Sequence, residues 1–289
     1  MNRRRFLKYS AAAAVSAPII DALAEPSRLD ITSNRAALTA APTTSFSVLQ
    51  MTDLHLPRFG ARQQRVARAA NEAKPDLIVI TGDSVDAPDK LGVLDEFLSA
   101  MDKAIPTVAI LGNWEYWSDI GVARIVSMYE RHGVEVLVNR STIMEKNGRS
   151  MRLLGLDDFV VGRPDINAAL RDSPPADAEL ILAHCPQQRD GLAGRSSLVL
   201  SGHTHGGQIN FFGATPYLPQ GSGGYERGWY GAPGPDRSGI VRIAGQHRAP
   251  SAGAGPGLPS LYVSRGLGTS IVAARFCSIP ELARFELLV

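Results

Sequence analysis

The sequence predicts an α/β fold built around a parallel sheet, and three observations support this. Apolar runs typical of buried strands alternate with stretches of helical periodicity between residues 46 and 138. The run over 76–80 is continuously apolar, which indicates a strand covered on both faces. Polar residues directly follow several strands, at the end where open α/β sheets bind ligands. The 289 residues, 44% of them hydrophobic, can form a sizeable core.

The first half of the pattern contains four strands and three helices. In the helical stretches apolar residues recur every three or four positions, as Leu94, Phe97, Leu98 and Met101 do. The predicted strands are 46–51, 76–80, 107–111 and 134–138. The predicted helices are 61–73, 93–104 and 122–132, the last ended by Gly133.

The second half is richer in strands. Two β-rich runs over 141–145 and 150–156 flank Asn147-Gly148, which predicts a β-hairpin. Further short strands are predicted at 180–183, 198–200, 261–264 and 282–287. A Gly/Pro-rich stretch over 231–260 lacks periodicity, and loops of that length are usually functional or disordered.

The N-terminus predicts a twin-arginine signal peptide over residues 1–24. Consecutive arginines precede a short Ala-rich apolar run and a small-x-small site at 22–24. The run is shorter than the roughly 20 residues that span a bilayer; a basic amphipathic helix is the alternative. We therefore expect export across the inner membrane to a periplasmic or extracytoplasmic location, with the twin-arginine export machinery as a partner. Residues 25–44 are predicted to be a mobile leader, and residues 45–289 a single domain.

Charge and cysteine content bear on the partners of the protein and on the state of its thiols. The whole chain has a formal net charge of +2, and the predicted signal peptide carries most of the excess of basic residues. The mature part is left close to neutral, so a nucleic-acid partner is not expected. Cys185 and Cys277 are expected to be buried thiols, with a disulfide between them as the alternative.

Five predicted strands are followed by Asp, Asn or His, which is more than turn formation explains. The densest stretch is Gly202-His203-Thr204-His205, which holds two of the 6 histidines of the chain. The other residues of this set are Asp53, His55, Asp83, Asp86, Asn113 and His184. Mixed nitrogen and oxygen ligands suit Mn, Fe or Zn better than Ca or Mg. Seven such ligands exceed one tetrahedral site and fit a two-metal centre.

In order and spacing, this series resembles the calcineurin-like metallophosphoesterases. The motifs are Asp53-x-His55, Gly82-Asp83-x-x-Asp86, Gly112-Asn113, His184 and Gly202-His203-x-His205. The end of the chain, from Leu261 onwards, resembles the bacterial exported branch of that family. The resemblance implies a four-layer αββα sandwich of two mixed β-sheets flanked by helices.

The resemblance also implies a role for each residue. Asp53, His55 and His205 would bind one divalent ion, and Asn113, His184 and His203 a second. Asp83 would bridge the two ions, and Asp86 would orient a ligand. The catalytic set would be Asp83, Asn113, His203 and Asp86, and a hydroxide between the ions would attack phosphorus in line. The expected activity is hydrolysis of a phosphate ester or anhydride.

Trp114 departs from the family pattern, where a histidine that assists the leaving group usually follows Gly-Asn. Either another group such as Glu115 supplies the acid, or the substrate has a stabilised leaving group, as in activated phosphodiesters or pyrophosphates. The alternative is a metal-binding protein whose site no longer turns over. Trp114 could also be core filler, or with Tyr116 and Trp117 a wall for an apolar substrate part.

The expected substrates follow from the predicted export. They are phosphorylated small molecules or lipid headgroups, and peripheral membrane contact is expected with the latter. Arg265 and Arg275 are further candidates for contacts to the substrate phosphate. His132 is interpreted as structural, since it ends a helix where a cation meets the dipole. His247, in the Gly/Pro-rich stretch, is expected to be exposed.

Overall fold

The computed structural model describes residues 21–211, 214–231 and 257–289. Most of the predicted signal peptide, His247 and most of the stretch over 231–260 lie outside these ranges. Within them, no helix combines the length and apolar character that a bilayer-spanning helix needs.

The first sheet has six strands and is mixed. Its strands are β1 (Asp30–Ala37), β2 (Ser45–Met51), β3 (Leu77–Thr81), β4 (Thr107–Ile110), β5 (Val134–Val136) and β12 (Glu281–Leu288). They lie in the order β1-β12-β2-β3-β4-β5. Strands β2 to β5 are parallel, whereas β12 is antiparallel to β2 and parallel to β1.

The second sheet also has six strands. They are β6 (Arg140–Lys146), β7 (Arg149–Gly155), β8 (Ala178–Leu182), β9 (Leu198–Ser201), β10 (Gly228–Tyr230) and β11 (Ser260–Val263). Their order is β10-β11-β9-β8-β7-β6, with the four central strands parallel and each edge strand antiparallel to its neighbour.

Helices cover the outer faces of both sheets. The helices of the described residues include α1 (Ala61–Ala73), α2 (Leu91–Ser99), α3 (Asn113–Trp117), α4 (Val122–Arg131) and α5 (Ile166–Leu170). Helices α1, α2 and α4 bury apolar residues such as Val66, Phe97 and Ile125 against the first sheet. Helix α5 packs its Ala169 against the second sheet.

The inner faces of the two sheets form a shared core. Phe46, Val79 and Ile110 of the first sheet pack with Leu180 and Leu200 of the second. Burial of these side chains on both sheets explains the runs without alternation. The structure thus confirms the predicted sandwich of two mixed sheets flanked by helices.

The N-terminal part of the domain differs from the prediction. A mobile leader over 25–44 is wrong, because β1 pairs along all of its length with β12. Glu25 is also buried, and its carboxylate accepts hydrogen bonds from the backbone N–H groups of Cys277 and Ser278.

The cysteine prediction holds for one residue only. Both thiols are free, but Cys185 is buried while Cys277 is exposed. Cys277 lies in the left-handed region at φ 52°, in a turn that presents its side chain to solvent. The prediction of a buried Cys277 is therefore wrong.

Candidate metal centre

The predicted ligands converge at one edge of the sandwich, where the carboxyl ends of strands from both sheets meet. Asp53 and His55 follow β2, Asp83 follows β3, and Asn113 begins α3 after β4. From the second sheet, His184 follows β8 and His203 and His205 follow β9. All seven side chains are buried.

Six of these residues form two clusters. Asp53, His55 and His205 make one, and Asp83, His184 and His203 make the other, with the potential ligand atoms of each within 4.8 Å of one another. Between the clusters lies Asp83, whose Oδ2 is 3.1 Å from His184 Nε2 and 3.7 Å from His55 Nε2. This placement agrees with a carboxylate shared by two ions.

Unpaired polar atoms show that the clusters suit a metal. Both ring nitrogens of His55 and Oδ1 of Asn113 are buried and have no hydrogen-bond partner among the described residues. Leaving such atoms unpaired costs free energy, so native proteins rarely do it without a ligand. Imidazole nitrogens with carboxylate and amide oxygens are ligands for divalent transition metals.

Backbone carbonyls orient two of the histidines. Nδ1 of His184 lies 2.8 Å from the carbonyl oxygen of Thr81, and Nε2 of His203 lies 2.7 Å from that of Gln220. A carbonyl accepts, so these nitrogens carry protons and the opposite nitrogens are the ones that face the site. Those two nitrogens, His184 Nε2 and His203 Nδ1, lie 3.2 Å apart.

Asp86 lies behind His55 rather than among the ligands. Its Oδ2 is 3.8 Å from Nδ1 of His55, while Nε2 of His55 faces Asp83. The side chain of Asp86 is 30% exposed, unlike the ligands. The geometry agrees with the predicted orienting role.

The two carboxylates have opposite pKa shifts. Burial opposes ionisation of Asp83, but the imidazoles of His184 and His55 outweigh it and lower the pKa of Asp83 to about 2. Burial raises the pKa of Asp53, with repulsion from Asp83 adding to it. Asp83 is therefore ionised at neutral pH, as a bridging ligand must be.

The two histidines of the glycine-rich turn favour the neutral form. Burial and repulsion from His184 lower the pKa of His203 to about 4. Burial, His55 and Arg275 hold the pKa of His205 well below its usual range. Neutral imidazoles have the lone pair that metal binding requires.

Two glycines give the ligands room. A Cβ on Gly202 would overlap the side chains of Thr52 and Asp53. A Cβ on Gly112 would overlap Oδ1 of Asp83 and lie 2.8 Å from Cε1 of His184. Gly112 and Gly202 are thus required by close packing around the centre.

Glu115 does not supply an acid to the site. Its carboxylate accepts backbone N–H bonds from Asp83, Ser84 and Gly112, at 2.6 to 2.9 Å. Burial and the nearby Asp83 carboxylate raise the pKa of Glu115 to about 7. The residue holds the turn that presents Asp83, which is a positioning role.

Trp114 is neither core filler nor a ligand. Its indole lines the cavity above the centre together with Trp117, and its ring centroid is 5.8 Å from that of His55. Its backbone N–H donates to Oδ1 of Asp83 at 2.9 Å. Of the predicted aromatic wall, Tyr116 instead turns away and donates to Asp157.

The two predicted phosphate-binding arginines are engaged elsewhere. Arg275 is fully buried and donates to the carbonyl groups of Gly268, Arg265 and Ser278. Arg265 forms ion pairs with Asp30 at 2.7 Å and with Glu281 at 3.4 Å. Neither arginine belongs to the cavity above the centre among the described residues, so the structure does not support the prediction that they contact a substrate phosphate.

His132 has the expected structural place. It follows the last residue of α4, and its Nε2 lies 2.7 Å from Oδ1 of Asp95. Sequence reasoning missed Thr81 and Gln220 as orienting residues. They act through backbone carbonyls, which leave no signal in residue type.

Comparison with known proteins places this geometry in a family. Residues 46–207 match the family described as calcineurin-like phosphoesterase. This range begins in β2 and ends after His205, so it contains all seven predicted ligands.

Relatives match over more of the chain. The uncharacterized metallophosphoesterase YkuE of Bacillus subtilis is 28% identical over 99% of this chain and 98% of its own length. Phosphodiesterase YaeI of Escherichia coli is 29% identical over 72% of this chain and 79% of its own.

Solved structures are similar at lower identity. A 5'-nucleotidase precursor from Thermus thermophilus has a TM-score of 0.48 at 13% identity, with 85% of this chain and 55% of that one covered. The NAD nucleotidase of Haemophilus influenzae has a TM-score of 0.41 at 15% identity, over 56% of this chain and 43% of its own. The chain thus spans about half the length of these two structures.

Proposed function

Because the chain belongs to the calcineurin-like phosphoesterases and is a metal-dependent phosphoric ester hydrolase, we propose that it cleaves phosphodiester or pyrophosphate linkages at a centre of two divalent ions. Manganese, iron and zinc are the metals that suit the mixed nitrogen and oxygen ligands. The name of the relative YaeI, a phosphodiesterase, supports the diester class.

The observation that carries the proposal is the position of Asp83. A single carboxylate oxygen lies close to ligand nitrogens of both clusters, His184 Nε2 at 3.1 Å and His55 Nε2 at 3.7 Å. Two separate mononuclear sites would not need a shared oxygen. A two-metal centre does, because the shared ligand holds the ions at a fixed separation.

Each predicted site residue has a role in this proposal. Asp53, His55 and His205 would hold one ion, Asn113, His184 and His203 the other, and Asp83 both. When bound, the ions acidify a water molecule and offset the charge of the phosphoryl oxygens. Hydrolysis then forms a bond from the water oxygen to phosphorus and breaks one phosphorus–oxygen bond, and the departing oxygen needs a proton. Asp86 and the carbonyls of Thr81 and Gln220 would keep the histidines oriented.

Trp114 limits which leaving groups the site can use. Its indole N–H is only a donor and cannot titrate in the useful range. Since Glu115 is engaged with the backbone, neither residue can deliver a proton to the departing oxygen. We propose that the substrates have leaving groups stable as anions, such as activated diesters or pyrophosphates.

The alternative of a degraded site that only binds metal is not favoured. The substitution at Trp114 leaves both ligand clusters complete. The relative YaeI, which is named a phosphodiesterase, supports turnover rather than metal binding alone.

We also propose that the chain is exported through the twin-arginine pathway and acts outside the inner membrane. The consecutive arginines at 3–5 and the apolar run after them support this. Fractionation of cells that express the full chain would test it. The double substitution Arg3→Lys and Arg4→Lys should leave the protein in the cytoplasm, and unchanged export would contradict the proposal.

The function is tested with manganese-loaded protein and bis-(p-nitrophenyl) phosphate. We expect turnover that is lost on chelation and restored by manganese. His203→Ala should lower kcat/KM by more than about 100-fold, since losing only an outer partner of a ligand already costs 10–100-fold. His132→Ala, a histidine paired with Asp95 instead, is the matched control and should retain turnover.

The leaving-group proposal needs a second series. Methyl aryl phosphates with phenols of different pKa should show kcat falling steeply as the phenol pKa rises. A flat dependence would show that an acid protonates the leaving oxygen and would refute this part of the proposal.

A further inference from the structure

The cavity above the candidate metal centre has an unusual lining for a phosphate site. It has a volume of about 550 Å³, and Asp83, Asn113, His203 and His205 lie at its floor. Its walls are mainly apolar, and include Trp114, Trp117, Val160, Ile209, Ile271 and Val272. The apolar walls therefore continue directly from the residues proposed to hold the ions.

The charge of the lining argues against a polyanionic substrate. No Lys or Arg belongs to this lining among the residues that the structure describes. Among the polar side chains of the lining, Gln208 is occupied, because its amide bonds the backbone of Ser270 and Val272 in the adjacent loop. A nucleotide or sugar phosphate would find no cationic side chain in the described lining, whereas an apolar group would contact mainly apolar walls.

The mouth of the cavity exposes large apolar side chains to solvent. Ile271 is 89% exposed, Tyr217 69%, Val272 55% and Trp117 50%. Such clusters are rare on a soluble surface unless they bind something apolar.

Ile271 is also in an unfavourable backbone conformation. Its φ of 62° lies in the left-handed region, which β-branched residues avoid. Gln208 donates to the carbonyls of Ser270 and Val272 and accepts from the N–H of Ser270, and these three hydrogen bonds hold the loop in this state. Strain kept at a site mouth, with the side chain presented outward, is typical of a functional position.

From these observations we infer that the substrate is an amphiphile: a phosphodiester or pyrophosphate whose ester group is an alkyl or acyl chain lying between Trp117 and the Ile271–Val272 loop. The inference rests on the proposed function, since the alkyl or acyl chain can lie at this loop only when the phosphate is bound at the metal centre. The alkyl or acyl chain stays on the phosphoryl group, the group that is stable as an anion leaves, and water is the only co-reactant.

The test varies the length of the alkyl chain of the substrate and keeps the leaving group constant. Alkyl p-nitrophenyl phosphates from methyl to octyl, each below its critical micelle concentration, are the substrates. Their hydrolysis by the manganese-loaded full-length protein is compared. We expect kcat/KM to rise at least 10-fold along the series, since a fully buried methylene is worth about fourfold. Binding of methyl- to octylphosphonate, measured by calorimetry, should increase in parallel.

The outcomes separate this inference from the proposed function. Turnover of all esters at one rate, with equal binding of all phosphonates, overturns the inference and leaves the function intact. Absence of turnover for every ester refutes the function, and the phosphonate series then decides the inference by itself.

Substitutions at the cavity mouth test where the alkyl chain of the substrate binds. Ile271→Ser should reduce the gain from methyl to octyl several-fold, while Ile31→Ser, an exposed isoleucine of β1 outside the cavity, should not. Ile271→Gly separates side chain from backbone, because glycine accepts the positive φ. Ile271→Gly should reduce the increase in kcat/KM from methyl to octyl while Tm stays unchanged or rises. If neither Ile271 variant reduces that increase, the assignment of the alkyl chain to this loop is overturned.

Two sources of amphiphile are distinguished by a vesicle arm. Release of inorganic phosphate from phosphatidylcholine vesicles that carry diacylglycerol pyrophosphate would identify a membrane lipid as the source. If kcat/KM rises with alkyl length only for monomeric esters, the source is a soluble amphiphile. Either outcome supports an amphiphilic phosphate substrate.

Discussion

Positive φ angles recur at the predicted ligands. Asp53, His55, Asp83, His203 and His205 have φ between 36° and 72°. Each such non-glycine residue costs of order 1–3 kcal/mol, so the surroundings must hold it in place. The backbone N–H of His203 does so by donating to both carboxylate oxygens of Asp53, at 2.9 and 3.0 Å. Hydrogen bonds of this kind therefore keep the predicted ligands in these strained conformations.

Asp86 offers a test of ligand orientation at the scale of one residue. Asp86→Asn removes the negative charge 3.8 Å from Nδ1 of His55 and so weakens the hold on that ring. We expect manganese affinity and kcat to fall by about 10-fold to 100-fold, the usual effect of losing an outer partner of a ligand. Calorimetric titration with manganese and steady-state kinetics measure the two quantities.

The control for this variant is Asp89→Asn. Asp89 lies three residues further on, is exposed, and pairs with Lys90. Its variant should bind manganese as the parent does. Equal effects of the two substitutions would mean that Asp86 acts only through the general charge of the region.

At the scale of elements, strand β1 shows what the sequence could not predict. Its inward positions are Thr32, Asn34 and Ala36, so the strand has no apolar alternation. Its burial is made favourable by distant partners: Thr32 donates to Glu281, and Asn34 accepts from the indole of Trp229. Such hydrogen bonds link residues about 200 or more positions apart and leave no local pattern.

The elements around the site were predictable for a physical reason. Parallel strands end at one edge of a sheet, so residues that directly follow them must converge there. That rule brings Asp53, Asp83 and Asn113 together at the first sheet, whereas the resemblance implies that the second sheet meets them there with His184. The division of ligands between two ions came from the family resemblance, and the carbonyl of Gln220, which orients His203, could not be found from either source.

The hairpin between β6 and β7 allows a test of turn conformation. Gly148 has φ 75° and no atom within 4 Å of an added Cβ, so Gly148→Ala changes only the backbone strain. We expect a loss of about 1 kcal/mol in the free energy of unfolding, the cost of an L-residue in the left-handed region. Gly92→Ala in α2, equally free of neighbours but without positive φ, should gain about 0.5–1 kcal/mol.

Urea unfolding of the two alanine variants measures these changes. Turnover should equal that of the parent in both, because neither glycine lies near the cavity lining of the described residues. A stabilising Gly148→Ala would show that the turn relaxes to another type.

At the scale of the molecule, the centre joins the two sheets. Each cluster takes ligands from both, since Asp53 and His55 meet His205, and Asp83 meets His184 and His203. Beneath the centre, Gln50 of the first sheet donates to the carbonyl of Ser201 in the second at 3.0 Å.

Ion binding should therefore stabilise the whole domain. An ion that binds only the folded state contributes about 2.7 kcal/mol at 100 times its Kd. Because about 1 kcal/mol shifts Tm by 2–4 °C in a domain of this size, manganese should raise Tm by about 5 °C or more over chelator-treated protein. Scanning calorimetry with manganese, magnesium and chelator measures this. Magnesium should do less, since it binds imidazole poorly, and His203→Ala should lose part of the manganese effect. An equal Tm in manganese and in chelator would contradict a centre that links the sheets.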